Sequence, residues 1–199
     1  MPTPAFSLRQ PLLSSGRILL LALTLWGGLA HADDYADVNR LIGARQYPEA
    51  LAKTDAALAD KPRDPQMRFL KGVIQTQTGK TAEATATFTQ ITQDYPELPE
   101  PYNNLAAIYA SQGKFEQARE ALEMAVRINP SYAIAHENLG DIDARLASQS
   151  YSRAQQLSPG NASLAPKLAL IKQLLAPATP AGKPAALKLL RFPERTPTP

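Results

Sequence analysis

A chain of 199 residues, 44% of them hydrophobic, can bury the core of one ordinary domain and still leave residues for processing and tails. Its 21 basic and 18 acidic residues leave a net charge of only +3, and the bases are scattered instead of forming a stripe with interleaved aromatics, which argues against a nucleic-acid surface. With no cysteine there is no disulfide framework, no thiol for a lipid anchor and no thiol nucleophile.

Residues 1–32 read as an export leader rather than as part of the fold. Arg9 and Arg17 are followed by an apolar run from Ile18 to Ala30, and Ala30-His31-Ala32 offers the small residues that a signal peptidase needs before Asp33. A membrane span takes about 20 apolar residues. The shorter run predicts cleavage, giving a mature protein with no stable membrane anchor, in the periplasm or secreted. Cleavage would leave 19 bases against 18 acids; residues 33–175 hold 15 bases and 17 acids.

From Asp34 onward the apolar residues recur at helical spacing, in pairs of helices broken by Gly or Pro. The first pair spans about 34–62, with a short opening helix, DYADVNRLIGARQ, and Pro48 in the first turn of the second. The second pair, 65–96, places Phe69, Leu70, Gly72, Val73 and Ile74 on its first helix and Ala84, Phe88 and Ile91 on its second. Thr occupies positions 76, 78, 81, 85, 87, 89 and 92, which predicts that several lie on a solvated face. The third pair, 99–130, turns at Gln112-Gly113-Lys114.

The fourth starts in the same way at Tyr132, with Leu139-Gly140 as a packing pair. Its closing Pro159 follows Pro130 sooner than Pro130 follows Pro96, and no other Gly or Pro intervenes, so one long helix from about Tyr132 to Leu157 is expected in place of a hairpin. After Pro159-Gly160, Asn161 can cap a final helix over about 162–175, with Leu164, Leu168, Ile171 and Leu175 on one side. Six prolines fall between Ala176 and the end of the chain, a composition that predicts a disordered tail, 176–199. Within it residues 185–192, AALKLLRF, form a basic, apolar octamer: a transient helical turn, or a docking motif for a partner or a membrane surface.

Pro62, Pro96 and Pro130 recur at one fixed interval, which Gly79 and Gly113 share, as do Ala50, Ala84 and Ala118. That interval is about 34 residues, the length of a two-helix repeat unit. Small residues let paired helices cross closely, Gly opens the turn between them, and Pro ends the second helix because it has no N–H to donate. With Tyr102, Leu105-Ala106, Tyr109, Ala118, Leu122 and Pro130 in the third pair, the pattern resembles the tetratricopeptide repeat (TPR). The resemblance covers about 34–159. It implies an all-α solenoid of three to four hairpins with a C-terminal capping helix, whose concave side is lined by the first helix of each repeat.

In that register the groove residues are Tyr35 and Asn39, then Phe69, Val73 and Thr76, then Asn103, Ala107 and Ala110, then Glu137 and Asp141. The series grades from aromatic and apolar to polar and acidic, which would suit a peptide with an apolar anchor and basic residues. Some TPR proteins grip a C-terminal carboxylate with a clamp of Lys, Asn, Asn, Lys and Arg. The matching columns here hold Tyr35, Asn39, Leu70, Glu100 and Asn104, so only Asn39 agrees and Glu100 reverses the sign. Binding of that type is not expected.

Catalysis has little to build on, and no enzyme activity, cofactor or metal is expected. There is no phosphate-binding Gly loop, metal-ligand spacing or nucleophile elbow. His31 leaves with the leader, and His136, in the column of Tyr102, is expected to pack the start of its helix. Asp141 and Asp143, two apart on a helix, do not share a face. Exported bacterial TPR proteins act as adaptors in envelope processes, so the resemblance implies a non-catalytic periplasmic scaffold that holds a protein or peptide segment. The alternatives are a self-associating structural protein, forming homo-oligomers through its end repeats, and an accessory subunit of an envelope hydrolase or transferase.

Overall fold

Proline and glycine set the ends of the helices. In the computed structural model, which describes residues 26–176, eight helices and no strand occur among the described residues. They are α1 (Trp26–Gly43), α2 (Tyr47–Asp60), α3 (Pro65–Gln77), α4 (Thr81–Asp94), α5 (Pro99–Ser111), α6 (Phe115–Ile128), α7 (Ala133–Leu157) and α8 (Leu164–Leu174). Pro48, Pro65 and Pro99 all stand in first turns, where a missing N–H costs nothing. Each helix packs on its neighbours in sequence, with α1 also reaching α3, and this produces consecutive hairpins stacked into a TPR solenoid.

The turns inside the first three hairpins share one geometry. Gly79 and Gly113 take φ of +76° and +74°, and the amides that follow them, on Lys80 and Lys114, bond back to the carbonyls of Gln75 and Tyr109. That is a left-handed residue closing a helix end. Arg45, one repeat before Gly79, takes the same turn with φ +59°, although it carries a side chain.

Two apolar clusters hold the stack. Val38, Leu41, Ala50, Met67, Leu70 and Ile74 join the first two hairpins. A larger cluster runs from Phe69 and Phe88 through Leu105, Ala106 and Leu122 to Ala135 and Ile142. Phe69 meets Phe88 edge-on, with ring centroids 5.5 Å apart, a geometry worth about 0.5–1.5 kcal/mol beyond its buried area.

The regular array stops at α7, which runs unbroken for 25 residues, as its lack of turn residues anticipated. Two expectations nearby need correction. Gly140 is exposed and a Cβ there would meet nothing within 4 Å, because α7 never folds back to pack on it. Asn161 does not cap α8: its Oδ1 accepts from the amide and hydroxyl of Ser163, holding the turn before the helix. The α8 face does carry buried Leu164 and Leu168.

The threonines of the second hairpin also differ from expectation. Only Thr78 is exposed; the other six are half-buried. Thr76 and Thr85 return their hydroxyls to carbonyls four residues back, at 2.9 and 2.8 Å, which satisfies them without solvent.

Most of the expected leader and nearly all of the expected tail, residues 1–25 and 177–199, lie outside the described residues. In the uncleaved chain α1 begins at Trp26 and continues through Ala32, so the anticipated cleavage point falls within a helix. No helix among the described residues is long and apolar enough to cross a membrane.

Candidate functional site

In a stack of such repeats the first helix of each lines the inner side, which here assigns α1, α3, α5 and the N-terminal half of α7 to it. Repeat spacing aligns Tyr35, Phe69, Asn103 and Glu137 along it, and likewise Asn39, Val73, Ala107 and Asp141. The structure treats these positions unequally.

Phe69 and Asn103 have no exposed surface and Val73 has 8%, so these three are fixed parts of the packing. Tyr35, Asn39, Thr76, Ala107, Ala110 and Asp141 are half-buried, and Glu137 is exposed. The open part of the face is therefore small and polar along most of its length, and acidic at the α7 end. The aromatic and apolar end expected from the sequence is carried inward instead, because Phe69 finds Phe88 across the second hairpin.

At the N-terminal end, Tyr35 donates from its hydroxyl to the Asp64 carboxylate, whose other oxygen accepts from the Met67 amide at 2.8 Å. Asp64 thus caps α3 and ties α1 to it. Burial, then the bond to Asp64, pushes the Tyr35 phenol above its ordinary pKa. On the outer side of α1, Asp37 pairs with Lys53 and Arg40, which hold its carboxyl below the usual range.

Amides dominate the centre. Asn103, Asn104 and Asn138 are all buried, and Asn138 donates from Nδ2 to Asn103 Oδ1 at 2.8 Å. Gln75, also buried, accepts from the Thr87 hydroxyl at 2.8 Å. Asn138 and Gln75 were not anticipated, although Asn138 stands one repeat after Asn104 and could have been found by extending that column. Tyr132 is pushed above its ordinary pKa by burial and then by the charge of Glu100.

Two residues considered for chemistry have structural positions. His136 is exposed rather than packed, and its Nε2 donates to the Pro130 carbonyl at 3.0 Å, closing the turn into α7. Asp143 is exposed and Asp141 half-buried, two apart on α7 and facing different directions. Among the described residues no group of three or more His, Cys, Asp or Glu could hold a metal ion. Of the clamp columns, Leu70 and Asn104 are buried.

Two tetratricopeptide-repeat family models match the chain, one over residues 35–99 and another over 99–132. Among solved structures, a thermophilic TPR protein from Thermus thermophilus is 22% identical with a TM-score of 0.54, the match covering 72% of this chain and 82% of that one. The Sgt2 TPR domain from Aspergillus fumigatus is 16% identical with a TM-score of 0.55, over 60% and 82% of the two chains. The Naa15/Naa10 complex bound to HypK is 20% identical with a TM-score of 0.52; the match covers 72% of this chain but only 22% of that much longer one. At these identities the structural likenesses speak for the fold alone. TPR proteins are generally non-catalytic scaffolds for protein interactions. Family models, helix order and the constant repeat interval agree that the chain carries tetratricopeptide repeats over residues 35–132, within a helical-hairpin solenoid.

Proposed function

We propose that the protein is a non-catalytic adaptor of the bacterial cell envelope, exported to the periplasm, which holds a segment of a partner protein on the inner face of its repeats. The reading is supported by the repeat register: it assigns Asn39, Thr76, Ala107, Ala110, Glu137 and Asp141 on four first helices to one side of the stack, and none of the six is fully buried. Small side chains at Ala107 and Ala110 let a backbone approach closely, and the carboxylates at the α7 end favour a basic segment. The leader sequence of residues 1–32 supports export, and the TPR partners seen in similar structures, such as HypK on Naa15/Naa10, support a protein ligand.

Residues on the open strip test the reading better than buried ones. Phe69→Ala or Asn103→Ala would report on stability, since neither side chain exposes surface. Ala107→Arg with Asp141→Lys blocks the strip and reverses its charge without replacing a fully buried side chain, and circular dichroism checks that the double variant stays folded. Crosslinked pull-down from intact cells should recover the same envelope protein with the natural chain and lose it with this double variant. Equal recovery by both would place binding elsewhere, and recovery of the chain only with itself would favour a self-associating structural protein.

A further inference from the structure

Helix α8 is apolar on two sides, and only one of them is covered. Leu164 and Leu168 are buried where α8 packs on α7, with Ile171 and Leu175 half-buried in the same row. At about 100° per residue, the rest of the helix runs through Ala165, Ala169, Gln173, Pro166, Leu170 and Leu174, all exposed and all uncharged. Leu170 and Leu174 are 66% and 68% exposed, and Leu157 at the end of α7 is 71% exposed. We propose that this arc is the interface of a homodimer: α8 of one copy lies antiparallel on α8 of a second about a twofold axis, and the two α7–α8 hairpins close into a four-helix layer. The proposal does not depend on the inner side being a partner site.

The hairpin lacks a sufficient core of its own. Arg145 of α7 lies over the ring of Phe115, the first residue of α6, with Cζ 5.8 Å from the centroid. Since α6 leads through a short turn into α7, Phe115 marks the far end of their contact. Beyond that level α7 has no buried residue, and α8 packs extensively on α7 alone. Two buried leucines then hold the distal part of α7 to α8, too little for a pair of helices standing alone. A second hairpin laid across the pair supplies the missing layer, and Leu170 would meet the second copy's Leu174 reciprocally.

The other end of the stack is closed to such contacts, which excludes growth head to tail. Ile74, Ile108 and Ile142 share one repeat column and are all buried, Ile74 in a cluster with Val38 and Leu41 of the preceding repeat. In that column α1 has Arg40, exposed and paired with Asp37. Ala36 is likewise exposed in the column where Leu70, Asn104 and Asn138 are buried. A polar outer face of this kind caps a repeat array. With one end capped and the other apolar, copies meet tail to tail and assembly stops at two.

Facing arcs bring no charges together. Lys167 and Lys172 stand at the margins, and Lys167 Nζ is held over the Tyr151 ring of its own hairpin, 5.2 Å from the centroid. Residues 144–175 contain no acid, so the rims of two copies repel across water, and added salt should tighten the dimer by screening them. An acidic protein or an anionic bilayer on the same arc would be released by salt instead.

Sedimentation equilibrium of the chain as purified from cells should show a dimer at about 10 µM, with a Kd that falls as sodium chloride is raised from about 0.05 to 0.5 M. Leu170→Glu with Leu174→Glu should weaken it at least about tenfold with circular dichroism unchanged, and Ala36→Glu should not. The natural chain has no cysteine, so crosslinks between introduced ones are unambiguous. A mixture of Leu170→Cys and Leu174→Cys chains should form a covalent heterodimer at least about ten times faster than Ala36→Cys chains crosslink to themselves or to Leu170→Cys chains. If the double glutamate variant unfolds, the crosslinking decides alone. A monomer at about 100 µM, a dimer that the glutamates leave intact, or crosslinking as fast through Ala36→Cys would overturn the proposal. Association that salt weakens would overturn it too, as would a monomer that sediments with phosphatidylglycerol vesicles.

Discussion

Asn138 on α7 donates to Asn103 on α5 across 35 residues of sequence, and both side chains are buried. The bond joins the third repeat to the fourth at the level where the hairpin pattern is about to end. Asn138→Ala removes the donor and leaves the Asn103 carbonyl to lose this partner in a low-dielectric site, a cost of about 1–3 kcal/mol. Urea unfolding of the single variants and of the Asn103→Ala/Asn138→Ala pair should show non-additivity of about 0.5–3 kcal/mol. Strict additivity would mean the two amides do not act together.

Gly72 and Gly140 occupy one column of the repeat, yet their substitution should move stability in opposite directions. A Cβ on Gly72 would lie 2.7 Å from Phe88 Cζ and 2.8 Å from Cε1, so Gly72→Ala must displace a ring already set edge-on to Phe69, at about 1–3 kcal/mol. Nothing stands within 4 Å of a Cβ on Gly140, and Gly140→Ala should gain about 0.5–1 kcal/mol from helix propensity. Thermal unfolding of both variants checks the sign.

Arg45 takes φ +59° in the turn where the next two repeats use glycine. A side chain in that conformation costs about 1–2 kcal/mol, partly offset by the chain entropy that glycine gives up on folding. Arg45→Gly should therefore stabilise by up to about 1 kcal/mol, while Gly79→Ala and Gly113→Ala should each destabilise by about as much. A measured loss for Arg45→Gly would mean that the arginine side chain contributes more than its backbone costs.

Tyr35 and Tyr132 predict a loss of stability in alkali. Both phenols are held above the ordinary tyrosine pKa of 10.0, so the folded chain keeps protons that the unfolded chain releases. Their contribution is complete below that value and declines as pH climbs past about 10. The Tyr132 hydroxyl is buried with no hydrogen-bond partner, so Tyr132→Phe should be neutral or stabilising by about 1 kcal/mol at pH 7 and should flatten the decline above pH 10. Melting temperatures measured from pH 8 to 11 would show an unchanged slope if the phenol were not responsible.

The helices and their order were legible from the residues because local signals settle them. Prolines at 48, 65 and 99, glycines at 79 and 113, and an alanine once in each repeat all act within one turn of the chain, and the missing turn residues after Pro130 announced the long α7. Which side chains a partner can touch was decided only by packing in three dimensions. Phe69, placed on the groove by its column, turns out to be enclosed against Phe88, and Gly140, placed in the packing column, is exposed because no helix returns to meet it. Repeat register assigns a position to a face, but burial depends on which neighbours actually arrive, and that is a property of the folded stack.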